Sequence, residues 1–435
     1  MKKKITPTMI FSATIAILVI AVLGLLWFIQ SQPDPIRGIP PLTDVSPTEP
    51  DSSVWGINFP NQYSTFLLTA ENNTRTAFGG SEPIQKLDVD PRLITLFSNN
   101  AFSIDYREDR GHMHSLTDVE ETLRINETTP GTCYSCKSAN NVELWKEMGA
   151  TKFASTPFNT LGKQITEPIG CVNCHDSATM RLVVTNPALE NALEAQGKDW
   201  RSFSRQEMRS VVCANCHVEY YFAGEEKVLV FPWAKGTRIE NIAEFYQEIE
   251  FSDWTHGESG APMIKMQHPD YELFSADSTH YKAGVACADC HMPYTKDGAA
   301  KFSNHNMRSP LIEPEASCGT CHSSVTYVTE RVAIIQQQVW DTMVITEDAI
   351  IAAAMTIKTA AATSGVDQAL LEEARQLHRE AQLRWDFIAA ENSMGFHNPS
   401  EALRILAAGS DIARQAQLKA IEATGQGLNI QVHTP

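Results

Sequence analysis

All ten cysteines of this 435-residue chain fall into five Cys-x-x-Cys pairs, and a nitrogen-bearing side chain follows each pair at once. The strings are Cys133-Tyr-Ser-Cys136-Lys137, Cys171-Val-Asn-Cys174-His175, Cys213-Ala-Asn-Cys216-His217, Cys287-Ala-Asp-Cys290-His291 and Cys318-Gly-Thr-Cys321-His322. Two thiols at this spacing form thioethers to the two vinyl groups of one haem, and the adjacent side chain then reaches the iron from one face. Tetrahedral zinc takes two such pairs per ion, and five pairs do not divide that way. Structural disulfides in an exported chain would not require a nitrogen ligand after every second cysteine. The pattern predicts a multihaem c-type cytochrome with five covalent haems packed among short helices and loops.

Lys137 is the exception among the five. Its amine must lose a proton to bind iron, and coordination supplies the driving force. Axial identity tunes the potential and the exchange at the sixth position, so this iron is expected to differ in role from the others. Of thirteen histidines, four follow cysteine pairs and nine remain: His112, His114, His256, His268, His280, His305, His378, His397 and His433. Four low-spin haems with two protein ligands each would use four of the nine. The Lys137 haem would then keep an open face, giving one reactive iron and a four-haem wire. Counting alone does not choose which four histidines serve.

The rest of the chain sets the frame. A net charge of −17 disfavours nucleic acid as a partner, and an anionic substrate would need a local positive pocket. Three lysines follow Met1, and an uncharged apolar run from about Met9 to Ile29 comes next. At about 1.5 Å per residue such a run spans the roughly 30 Å hydrocarbon core, and it exceeds the usual core of a cleaved signal peptide. Residues 1–30 are thus expected to be a transmembrane signal anchor, with the lysines on the cytoplasmic side and the rest of the chain outside. Residues 31–55, rich in Pro, Asp and Ser, suggest a solvated linker. Residues 56–322 carry every cysteine pair. Beyond them, Val325, Val328, Val332, Ile335, Val339 and Met343 share one helix face, Leu370 to Ile388 give a second such helix, and Pro399 to about Thr424 a third. Residues 323–435 are expected to be a long-helix region. No sustained strand alternation appears, so the fold class is mostly α.

Several strings resemble ammonia-forming cytochrome c nitrite reductase, a pentahaem family whose active haem sits on Cys-x-x-Cys-Lys. One lysine motif followed by four histidine motifs is similar. So are Arg110-Gly-His-Met-His-Ser-Leu-Thr-Asp-Val-Glu-Glu-Thr-Leu-Arg124, Cys216-His-Val-Glu-Tyr-Tyr-Phe222, Phe251-Ser-Asp-Trp254 and Lys265-Met-Gln-His-Pro-Asp-Tyr271. The resemblance runs from about Trp55 to the last helix. It implies that Arg124, Tyr220 and His268 line the pocket over the Lys137 haem, with His268 able to pass protons near neutral pH. It implies a calcium ion held by Glu219, Tyr220, Lys265 and Gln267, with backbone carbonyls serving at Tyr220 and Lys265. It assigns His112 to the haem at Cys213/Cys216, His280 to Cys318/Cys321, His305 to Cys171/Cys174 and His397 to Cys287/Cys290, with His256 as the fallback for His280. The implied activity is six-electron reduction of nitrite to ammonium. A quinol-oxidising membrane cytochrome or another c-type cytochrome would be the donor, the long helices would form a homodimer interface, and the site would lie on the periplasmic face of the cytoplasmic membrane. The alternative is a multihaem electron-transfer cytochrome with no substrate of its own.

Overall fold

The computed structural model describes residues 7–31 and 41–425. The N-terminal lysines, residues 32–40 of the expected linker and His433 lie outside them. Helix α1 (Pro7–Ser31) contains the apolar window Phe11–Phe28, of mean hydropathy 2.5 and with none of it buried. Its 25 residues rise about 37 Å, enough to cross a membrane. By length and composition it suits an anchor or a signal sequence equally.

Residues 41–58 are not a free linker. Asn58 accepts from the amides of Leu42 and Thr43 and donates to the Thr43 carbonyl, and the Trp55 indole, buried, donates to the Glu49 carbonyl. Ser52 accepts from the amide of Cys171. Composition reads as solvated, yet a single buried indole and a few side-chain caps tie this stretch to a cysteine motif.

The middle of the chain is a succession of short helices and turns. Its longest helix, α2 (Ile239–Glu248), presents Ile239, Ile242 and Tyr246 to the core. Three two-stranded antiparallel hairpins are interspersed among them: β1 (Tyr221–Ala223) with β2 (Val228–Val230), β3 (Trp254–Thr255) with β4 (Pro262–Met263), and β5 (Tyr294–Asp297) with β6 (Ala300–Ser303). With two to four residues per strand, none is long enough to show alternation in sequence.

Three long helices follow: α3 (Val325–Ala361), α4 (Gln368–Ala389) and α5 (Pro399–Ala423). Each begins on a side-chain cap, from Ser324, Asp367 and Asn398 respectively. The buried faces of α3 and α5 are rich in alanine, among them Ala349, Ala353, Ala354, Ala413, Ala416 and Ala420, which lets the helices approach closely. The main core joins these helices to the haem-motif region, with Phe97 packed 5.8 Å from Trp385 and Tyr246 buried nearby. The mostly helical fold is the one the sequence predicts.

Candidate active site and haem-binding motifs

Each of three cysteine-motif histidines faces one distant histidine. Ring centres are 6.2 Å apart for His175 and His305, 6.3 Å for His280 and His322, and 6.3 Å for His291 and His397. Such a separation leaves room for one first-row metal ion, whose bonds to imidazole nitrogen are about 2 Å long. His112 lies in the field of His217, which helps depress its proton affinity. The structure therefore sets face to face three of the pairs that the resemblance assigns, with His112 in the neighbourhood of His217.

The other ring nitrogen of most of these histidines is already engaged. Nδ1 of His175 meets the Met180 carbonyl at 3.0 Å, that of His291 the Arg308 carbonyl at 3.0 Å, and that of His305 the Ser303 carbonyl at 2.8 Å. Nδ1 of His217 meets Asp270 at 3.2 Å, and Nδ1 of His397 meets Glu391 at 3.2 Å. Anchoring Nδ1 fixes the tautomer and turns Nε2 to the metal, the arrangement typical of metal-ligating histidines. Burial pushes His112, His291 and His305 down to about 4, so these imidazoles are neutral, the form that binds metal. Burial also lowers His397, but Glu391 and Asp270 outweigh it and raise that ring to about 9. None of the ten cysteines is bonded to another. The residues present fit covalent haem c at every motif.

Glycines shape two of these segments. A Cβ at Gly111 would come within 2.5 Å of the Thr69 carbonyl oxygen, so the chain bearing His112 lies pressed against that strand of backbone. Gly395, at φ +75°, turns the loop that carries His397.

The cysteine motifs also touch one another. Cys136 lies against Cys216, and Cys213 against Cys287. Cys290 lies in the field of Cys318 and Cys321, and Cys174 adds to the field at Cys213 and Cys216. The lysine motif is thus a neighbour of Cys213/Cys216, and Cys213/Cys216 a neighbour of Cys287/Cys290.

Arg124, Tyr220 and His268 gather near Lys137. Arg124 lies over the Phe102 ring at 4.1 Å, and its Nε–H donates to Thr122 Oγ1 at 3.0 Å. Thr122 in turn donates to the buried Asp105, which also accepts from Leu123, Gln85 and Arg107. Asp105 is the hub that fixes the Arg124 turn. Tyr220 stacks on Phe222 at 5.7 Å, and burial, with Cys136, Cys133 and Glu219, holds its hydroxyl proton tightly. His268 is placed by its amide, which donates to the Val218 carbonyl at 3.3 Å. Burial pushes the His268 ring down to about 4, with Lys137 and His217 adding to that and Asp109 and Asp270 opposing it. The lowered proton affinity favours the uncharged ring, an N–H donor, at neutral pH.

Glu219, Lys265 and Gln267 lie together. The Gln267 amide donates to Glu219 Oε2 at 2.7 Å, and the Gln267 side chain donates to the Lys265 carbonyl at 3.0 Å. The Lys265 ammonium is spent elsewhere. It pairs with Asp386 at 2.8 Å and lies about 5 Å from the Phe97, Phe102 and Tyr106 rings. Only its carbonyl can serve a cation here. Glu219 is fully buried, with Tyr246 donating to it at 2.7 Å. Burial, with Glu272 and Asp253, raises its proton affinity well above the usual carboxylate range. A buried carboxylate among other acids, beside a carbonyl and an amide, is a hard-oxygen set, and it fits calcium.

His256 is not a haem-facing residue. Its Nε2 meets the Thr95 carbonyl at 2.9 Å, its ring packs 5.0 Å from His378, and Ser259 bridges the two. Sequence reasoning missed Asp109, Asp270, Glu391, Tyr246 and Asp386. Asp270 alone carried a signal, since it sits inside the Lys265–Tyr271 string.

Residues 51–435 match the sequence model of the Cytochrome c552 family. A cytochrome c-552 of Parabacteroides distasonis is 38% identical over 383 residues, covering 86% of this chain and 77% of that one. The protein from Nitratidesulfovibrio vulgaris named cytochrome c nitrite reductase subunit NrfA is 36% identical over 428 residues, covering 89% of this chain and 81% of its own. A solved cytochrome c nitrite reductase from Desulfovibrio desulfuricans, described for two calcium sites in its catalytic subunit, superposes with a TM-score of 0.85. It is 36% identical, with 89% of each chain covered.

Proposed function

This chain belongs to the Cytochrome c552 family, and from that premise we propose that it reduces nitrite to ammonium at a haem ligated by Lys137. The observation that carries the reading is the gathering of Arg124, Tyr220 and His268 around the one cysteine motif that lacks a histidine. A passive electron carrier has no use for such a pocket. The relatives named as nitrite reductases, and the solved one with calcium sites, support the same reading.

Haem c would supply the electrons, six for each nitrite, and an iron that takes the substrate nitrogen. The residues of the chain do the rest. The Arg124 guanidinium is always charged and offers planar donors to the nitrite oxygens. The uncharged His268 ring donates one N–H to the same oxygens. Tyr220 keeps a phenolic proton within the pocket for release to a departing oxygen. Nitrite, six electrons and eight protons balance to ammonium and two waters, so proton supply matters as much as charge.

Four bis-histidine sites, His112/His217, His175/His305, His291/His397 and His280/His322, would form the wire. The contacts of the cysteines support a route from Cys287/Cys290 through Cys213/Cys216 to the lysine motif. Glu219, Gln267 and the carbonyls of Tyr220 and Lys265 would hold calcium, clamping the Tyr220 and His268 segments together. A membrane cytochrome or other c-type cytochrome would be the donor. Helix α1 would hold residues 56–322 and the long helices outside the cytoplasmic membrane, as a homodimer joined through those helices.

The test is turnover by the detergent-solubilised full chain, with reduced viologen as donor and nitrite as acceptor. About one ammonium per six electrons is expected. Lys137→Ala should keep five covalent haems and lose most of that turnover. Protein with all five haems that shows no nitrite-dependent viologen oxidation would be an electron carrier instead.

A further inference from the structure

The loop between α4 and α5 is built around one acid, Glu391, whose side chain is 0% exposed. The Ser393 amide and hydroxyl donate to its Oε2 at 2.9 and 2.7 Å, and the Gly395 amide donates to its Oε1. Each of these partners is a donor, so the loop is shaped for a carboxylate, which only accepts. The Ser393 hydroxyl also accepts from the His397 amide at 2.7 Å. Gln336 of α3 donates to the Ser393 carbonyl at 3.0 Å, and the Asn398 side chain donates to the Ala276 carbonyl at 2.8 Å. The acid orders the turn, and the turn carries His397.

The His397 ring comes back onto the same acid. Its Nδ1 lies 3.2 Å from Glu391 Oε2 and 3.6 Å from Asp270 Oδ1, between two carboxylates rather than aligned on one. His291, which it faces, sets its own Nδ1 against the Arg308 carbonyl. The pair of His175 and His305 differs, because both of its Nδ1 atoms meet backbone carbonyls, those of Met180 and Ser303. Negative charge held against a ligand ring strengthens its donation and favours the oxidised metal. Burial keeps that charge from being screened.

We propose that Glu391 is a positioning residue for His397: it fixes the ring through Ser393, and its carboxylate holds the haem of Cys287/Cys290 at a lower potential than the haem of Cys171/Cys174. The inference rests on reading His291/His397 and His175/His305 as axial pairs, and not on the reaction at Lys137. Electrons that reach the Cys287/Cys290 haem would be passed on rather than stored there.

The test is a potentiometric titration of the full-length, haem-loaded protein in detergent, resolved by haem through the low-spin EPR signals. Glu391→Gln keeps the shape of the side chain and removes its charge. It should retain every low-spin signal and shift one haem roughly ten-fold towards the reduced form, about 60 mV for one electron. Combined with Asp270→Asn, the two shifts should add on that haem alone. Glu391→Asp restores the charge and should return most of the shift. Unchanged midpoints in Glu391→Gln, or the loss of a low-spin signal with no midpoint moved, would overturn the proposal and leave Glu391 a loop-holding residue. If Glu391→Gln loads no haem, the order of reduction decides. His305→Met marks the Cys171/Cys174 haem by raising its potential, and Asp270→Asn marks the haems served by His217 and His397. At least one haem marked by Asp270→Asn must be reduced after the one marked by His305→Met, and the proposal falls if both are reduced before it. A one-haem shift in a protein that reduces no nitrite would uphold the proposal while removing the nitrite reductase reading.

Discussion

Asp270 shows how a single side chain can act on two redox sites. Its Oδ2 meets Nδ1 of His217 at 3.2 Å, and its Oδ1 lies 3.6 Å from Nδ1 of His397. Asn392 donates to both oxygens at 2.7 Å, through its amide and its side chain. His217 follows Cys213/Cys216 and His397 faces His291 beside Cys287/Cys290, so on the proposed reading one negative charge would strengthen ligands of two neighbouring haems. An anion at that position favours oxidised iron. The Asp270→Asn variant should therefore raise two midpoint potentials together, each by on the order of 60 mV, the one-electron equivalent of ten-fold. A redox titration resolved by haem would show it, and a shift confined to one haem would argue against a shared role. At this scale the sequence was legible where chemistry demands adjacency: the cysteine pairs and Lys137 declare themselves. Asp270 and Asp109 do not, because an acid that serves a ligand distant along the chain looks like any other acid. The four distal histidines were reached through family strings, since their partners are set by folding rather than by spacing.

At the scale of elements, the long helices were legible from apolar spacing and the proline at the start of the third, whereas the hairpins were too short to register. The loop between α4 and α5 shows what periodicity omits. Gly395 has φ +75°, and a Cβ there would lie 2.7 Å from a methyl of Val339 on α3. Gly395→Ala should cost about 2–4 kcal/mol, combining left-handed backbone strain with overpacking. The same change should displace His397, so chemical denaturation and the loss of one low-spin haem signal should coincide. A second tie joins α4 to the pocket. Asp386 accepts from Lys265 Nζ and from the Met266 amide, each at 2.8 Å, and both members of the ion pair are buried. Asp386→Ala leaves the ammonium unpaired and should cost about 3–5 kcal/mol. Because Lys265 precedes Gln267 and His268, calcium affinity by competitive chelation should fall too. Stability lost with calcium affinity intact would separate the ion pair from the calcium loop.

Across the whole molecule, a chain of net charge −17 buries several acids in its interior, and one group of them links three distant parts of the fold. Glu347 on α3 is 1% exposed and accepts from the Trp385 indole on α4 at 3.0 Å. It also faces Asp90 and Arg92 from the segment ahead of the first haem motif, with Arg92 Nε 3.1 Å from Glu347 Oε2. Burial first, and then the Asp90 carboxylate, push Glu347 up to about 8, while Arg92 pulls it back. A carboxyl whose proton affinity is higher folded than unfolded favours folding while it stays protonated. The folded chain then holds a proton that the unfolded chain has already lost, so stability must fall as pH rises from about 4.5 towards 8. Asp90 works the other way: it is held below the usual carboxylate range, and its contribution is lost only as the solution becomes strongly acidic. Between these limits the three segments are cemented by a protonated Glu347, and above pH 8 they carry an extra buried negative charge. Replacing that carboxyl by an amide of the same shape should leave stability near pH 4.5 little changed. Glu347→Gln should also abolish most of the alkaline decline, worth about 2 kcal/mol once Arg92 is allowed for. Denaturant midpoints of wild type and variant at pH 4.5 and pH 8.5 measure it: curves that diverge with rising pH place the titrating proton on Glu347, and parallel curves place it elsewhere.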